Sequence, residues 1–220
     1  MGKLKEFTVM TARPLPVILL ADVSGSMSVD GKIEALNGAV QEMMKTFVKE
    51  EEGRAEIHMS IITFGGEVAV VHQPLLPIAK ALWKLMDASG RTPMGHAFQL
   101  AKIMIEDKNQ IPSRAYRPTV ILVSDGQPTD EWQQSLNDLL QSERASKAMR
   151  FAMGIGEDAD HSMLRFFLGN ENEHVFQAHE ARDIQKFFRW VTMSVTTRSR
   201  SINPNDTPEL EPTDLDDLVF

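Results

Sequence analysis

Val17-Ile-Leu-Leu-Ala21 is a short, unbroken apolar run that ends on a carboxylate, Asp22. Thr119-Val-Ile-Leu-Val-Ser124 repeats the arrangement and ends on Asp125-Gly126. A strand that is apolar on both faces belongs in a parallel sheet with packing layers on both sides. After the first run, Ile33, Leu36, Val40, Met43 and Phe47 recur at steps of three and four, which is one helix face. Strand and helix keep alternating to the end of the chain. The fold class expected is therefore α/β, with a doubly wound, mostly parallel sheet, one short antiparallel edge strand and helices on both faces. In such sheets ligands sit at the carboxyl ends of strands, where Asp22 and Asp125 both stand.

The remaining elements follow from pattern and punctuation. Ile57–Phe64 reads as a strand, Gly65-Gly66 as a tight turn, and Val68–Val71 as its short antiparallel return. Pro74–Asp87 reads as a short helical stretch. Pro93 is placed at the first position of a helix running to about Glu106. Asp130, with Gln133 three residues on, reads as the cap of a helix that reaches about Met149. Arg150–Gly156 is a strand, Asp160–Leu168 a short helix and His174–Gln177 a last strand. Ile184, Phe187, Phe188, Val191 and Val195 mark a final helix. The boundaries expected are an N-terminal arm at 1–14, a domain at 15–198 and an acidic extended tail at 199–220.

Composition narrows the chemistry. With no cysteine in 220 residues, disulfides, thiolate zinc sites, iron–sulfur clusters and a cysteine nucleophile are excluded. The net charge of −8 argues against a protein built to grip nucleic acid. Six acids and no base fall from Asp206 onward, so the tail holds most of that imbalance. The N-terminal residues carry charge without an apolar segment behind it, and no run is long enough to span a membrane. A cytoplasmic protein is expected.

Asp22, Ser24 and Ser26 form an Asp-x-Ser-x-Ser pattern directly after the first strand. A carboxylate and two hydroxyls at alternate positions of a tight loop can converge on one point. Asp125 adds a carboxylate from another strand end, and Thr92 lies on the Gly90–Pro93 loop ahead of a helix. Oxygen-only donors suit a hard cation, magnesium first, with manganese or calcium as substitutes. Taken singly, Asp22 reads equally as a loop cap, Ser24 and Ser26 as turn residues, and Thr92 as a helix cap.

Together, Asp22-Val-Ser24-Gly-Ser26, Gly90-Arg-Thr92-Pro-Met-Gly95 and Ser124-Asp125-Gly126 resemble a von Willebrand factor A domain with a metal ion-dependent adhesion site. The resemblance covers roughly Leu15 to Thr197. It implies that Ser24, Ser26 and Thr92 ligate the cation, that Asp22 and Asp125 act directly or through water, and that one position stays open for a partner's carboxylate. The stretch Asp125–Trp132 looks more specifically like the bacterial TerY-like, tellurium-resistance group. Members of that group are associated with a protein kinase and a metal-dependent protein phosphatase in stress-response gene sets. The resemblance thus implies an intracellular adaptor, not an enzyme. Two rivals remain at this point: an adaptor for a MoxR-type ATPase, and a magnesium-dependent phosphatase of the haloacid-dehalogenase kind. The second wants a carboxylate two residues after its nucleophile, where this chain has Ser24.

His96, one turn after Thr92, is a candidate neighbour of the metal, although a packing role is the default. The tail interleaves Asp214, Asp216 and Asp217 with Leu215, Leu218, Val219 and Phe220. Such a segment can dock and order itself. Its carboxylates are candidates for self-association through the metal of another copy.

Overall fold

The computed structural model of the chain describes residues 12–50, 53–169 and 175–206. Six strands form one sheet: β1 (Arg13–Asp22), β2 (Ala55–Gly65), β3 (Val68–Pro77), β4 (Thr119–Ser124), β5 (Met149–Ile155) and β6 (Phe176–Ala178). Their order is β3-β2-β1-β4-β5-β6, and only β3 runs antiparallel to its neighbour. Five helices cover it: α1 (Lys32–Val48), α2 (Met94–Glu106), α3 (Trp132–Gln141), α4 (His161–Leu168) and α5 (Ala181–Arg200). The expected doubly wound α/β fold is the fold observed.

Alternation along the central strands sends side chains to opposite faces. Leu15, Val17 and Leu19 of β1 join Ile121 and Val123 of β4 in a core closed by α1 and α5. Ile18 and Leu20 join Val120 and Leu122 in a second core closed by α2, α3 and α4. These side chains are at most 1% exposed, which is why Val17–Ala21 and Val120–Val123 carry no polar residue.

Four local expectations are corrected. Pro74–Asp87 is not helical: β3 continues to Pro77, a single 3-10 turn spans Ile78–Lys80, and no regular element follows before Met94. Pro74 has no N–H to give, but β3 is an edge strand, where a missing donor costs little. Pro93 precedes α2 instead of opening it. The helix expected to reach Met149 ends at Gln141, and a 3-10 turn follows at Ala145–Lys147. There the Glu106 carboxylate accepts the backbone N–H groups of Arg144 and Ala145, at 2.8 and 3.0 Å. Asp130 caps a helix, but not its own. Its two oxygens accept the N–H groups of Gly95 and His96 in the first turn of α2, at 2.9 and 3.0 Å.

At the C-terminal end α5 runs to Arg200, two residues past the expected boundary. Arg198 is 1% exposed and donates to the Pro204 carbonyl, the Thr119 hydroxyl and the Arg117 carbonyl, at 2.9, 2.6 and 2.8 Å. Arg200 pairs with Glu50 at 2.7 Å. Residues 201–206 thus lie against the body. The acidic-apolar segment proposed for self-association lies outside the described residues, as does most of the N-terminal arm.

Candidate metal centre

β1 and β4 are parallel neighbours with Ala21 opposite Val123, so their carboxyl ends emerge side by side. This register sets Asp22 beside Ser124, whose hydroxyl donates to Asp22 Oδ2 at 2.5 Å. Asp22 Oδ1 accepts the backbone N–H of Ser24 at 2.8 Å, which turns the chain into a 3-10 segment at Gly25–Ser28. The turn lays Ser26 back over the strand ends. Its Oγ is 3.0 Å from Ser24 Oγ and donates to Asp125 Oδ1 at 2.7 Å. Asp22, Ser24, Ser26 and Asp125 therefore form one hydrogen-bonded cluster.

The loop that carries Thr92 is joined to the Val23–Gly25 backbone beside this cluster. Gly25 N–H donates to the Gly90 carbonyl at 3.0 Å, and Ser89 N–H donates to the Val23 carbonyl at 2.8 Å. Gly66 sits between, donating to Ser89 and accepting from Arg91. The approach is close enough that a Cβ on Gly90 would lie 2.3 Å from Gly66 Cα, and Gly90 has φ of +72°. From the other side Thr92 exchanges hydrogen bonds with Thr129: its N–H reaches Thr129 Oγ1 at 3.1 Å, and its carbonyl accepts Thr129 N–H at 3.0 Å. Thr92 is buried, 6% exposed.

Sequence reasoning missed the supports. Ser124 was visible as the residue before Asp125, but its contact with Asp22 depends on strand register. Thr129 and Asp130 fix the Thr92 loop across 37 and 35 residues of chain. Lys32, the first residue of α1, places its ammonium 2.7 Å from Asp125 Oδ2. His96 is taken up structurally, its Nδ1 accepting the N–H of Ala69 on β3 at 3.1 Å.

Burial is the dominant electrostatic fact. Asp22 is fully buried, and desolvation raises its pKa from 3.8 to about 6. Hydrogen bonds from Ser124 and Ser24 oppose that rise, and the nearby Asp125 charge adds to it. A buried carboxylate that resists ionising beside a second one is stabilised by a cation.

The donor set fits a divalent ion. Among the described residues no three His, Cys, Asp or Glu side chains converge as a metal site, so an ion held here would have to draw on the hydroxyls as well. Oxygens in adjacent positions around an octahedral ion with bonds of about 2.1 Å stand about 3 Å apart. Ser24 and Ser26 Oγ are separated by 3.0 Å.

Residues 17–190 match the family model described as von Willebrand factor type A domain. A curated relative, the magnesium-chelatase 60 kDa subunit of Rhodobacter capsulatus, is 29% identical over 149 residues. That match covers 65% of this chain and 24% of the relative, so the chain spans about a quarter of the relative's length. Among solved structures, a von Willebrand factor type A protein from Catenulispora acidiphila superposes with TM-score 0.63 at 23% identity, over 84% of this chain and 43% of that one. Proximal thread matrix protein 1 from the mussel byssus, with a zinc-occupied MIDAS motif, gives 0.64 at 18% identity, over 82% and 47%. These two likenesses are likenesses of fold. Among the described residues no helix is long and apolar enough to cross a membrane.

Proposed function

The chain belongs to the von Willebrand factor type A domain family, and from that membership and the site's geometry we propose that it is a divalent-metal-dependent protein-binding module. The observation that carries this reading is the convergence of Asp22, Ser24, Ser26 and Asp125 at two adjoining strand ends, with Thr92 fastened alongside. Those five residues would hold the ion, magnesium by donor hardness, with manganese or calcium able to replace it. When bound, the ion offers a coordination position to an aspartate or glutamate of another protein. Ser24 and Ser26 orient their hydroxyls through the turn that Asp22 initiates, and Thr129 and Asp130 hold the Thr92 loop in place. Family membership supports recognition over turnover. The setting proposed is a bacterial cytoplasmic stress-response or kinase/phosphatase complex of the TerY-like kind. Support for that setting is the Asp125–Trp132 stretch of the sequence.

Capture of partners from a bacterial lysate tests the reading. Bound protein should appear with magnesium and be lost both with a chelator and in Thr92→Ala. In chelator the variant's melting temperature should stay close to the parent's, because a loop hydroxyl adds little to the core. Chelator-resistant capture would mean that the ion does not carry the contact.

A further inference from the structure

Lys32 stands where a cation belongs, and its placement is not explained by the helix that carries it. It opens α1, where the exposed N–H groups repel positive charge. The backbone just before it is tightly turned, with positive φ at Asp30 and Gly31, and this aims the first side chain of the helix at the strand ends. There its ammonium lies 2.7 Å from Asp125 Oδ2, while Asp125 Oδ1 is held by Ser26 at 2.7 Å. The Asp125 side chain is fully buried and that of Lys32 is 20% exposed. Lys32 thus sets a positive charge directly against a buried acidic side chain.

On its outer side Lys32 lines a cleft of about 230 Å³ that Asp30, Glu157, Asp158 and Glu180 also line. A Cβ on Gly156 would lie 3.9 Å from the Lys32 ammonium, so the loop after β5 passes near it. Lys32 therefore stands between the buried Asp125 carboxyl group and a cleft with acidic residues in its lining, among which Glu180 is already paired with Arg182.

We propose that Lys32 is a tethered counter-ion that competes with the divalent cation for Asp125. It holds the carboxylate in the metal-free protein and swings into the acidic cleft when the ion arrives, which sets metal affinity below what the oxygen donors alone would give. The proposal rests on the reading of this site as a metal centre. Its sign is unusual: the residue that stabilises the metal-free fold weakens the metal.

Titration calorimetry with manganese chloride, together with melting of the metal-free protein, tests it on the full chain. Lys32→Met and Lys32→Gln remove the competing charge and should bind manganese at least about tenfold tighter. Lys32→Arg keeps the charge and should bind no tighter than the parent. Metal-free Lys32→Met should melt below the parent, because it leaves Asp125 buried without its cation. Lys32→Gln keeps a hydrogen-bond donor for that carboxylate and supplies the affinity comparison even if the methionine variant fails to fold. If the parent binds manganese and the uncharged variants bind it equally or more weakly, the competition is overturned and the metal centre stands. If neither parent nor variants bind manganese, the metal centre itself is wrong and the competition falls with it.

Discussion

Asp22 carries the largest electrostatic cost in the site. The folded protein holds its proton more tightly than the unfolded chain does, with a pKa of about 6 against 3.8. The stability linked to this group is therefore fully present below about pH 3.8 and is lost as pH rises through about 6. The loss amounts to about 3 kcal/mol. Urea unfolding in chelator at pH 4 and pH 6.5 checks this: between those values the parent should lose about 2 kcal/mol more stability than Asp22→Asn. Parallel behaviour of the two proteins would show that Asp22 ionises freely. At this scale the spacing of Asp22, Ser24 and Ser26 was legible, because alternate residues of one loop are near each other whatever the rest of the chain does. Ser124 and Lys32 were not legible as partners. Their contacts span 102 and 93 residues, and only strand register and helix placement bring them in.

Among the elements, the loops around the site are fastened by glycine. Gly65 cannot take a side chain, since a Cβ would lie 2.4 Å from the Val23 carbonyl oxygen, and Gly90 meets Gly66 at 2.3 Å. Gly90→Ala combines that clash with a backbone conformation that costs about 1–3 kcal/mol outside glycine. It should lower the melting temperature by roughly 5–10 °C. It should also weaken manganese binding by displacing Thr92, and calorimetry reads that directly. Unaltered melting and binding would mean that the loops have slack. The glycine pair at 65 and 66 signals a turn, but the third partner at Gly90 arrives from another part of the chain. Strands and helices with one clear period were legible. Where apolar residues lack a period, as at 74–87, the pattern does not separate a helix from the extension of β3 to Pro77 that β2 pairs. Asp130 shows the other limit. Its capping chemistry was visible, but a cap can serve any helix whose first turn comes within reach, and packing chose α2.

The whole molecule is a two-sided sheet that presents one rigid edge of strand ends. Its central strands are fully buried, so the site is mounted on the least deformable part of the fold. Arg198 ties the end of the last helix to Thr119 at the opposite end of β4 from Asp125, away from the site. This scale was the most legible in the sequence, because fully apolar runs ending in Asp22 and Asp125 leave few arrangements open. The central claim is that those strand ends hold a divalent ion, and thermal unfolding with and without magnesium or manganese tests it most directly. A ligand at about 100 times its Kd adds about 2.7 kcal/mol to the folded state. In a chain of this size that raises the melting temperature by roughly 5–10 °C. The account predicts this rise in the parent and none in Asp22→Ala with Ser24→Ala, and an equal rise in the double variant would contradict it.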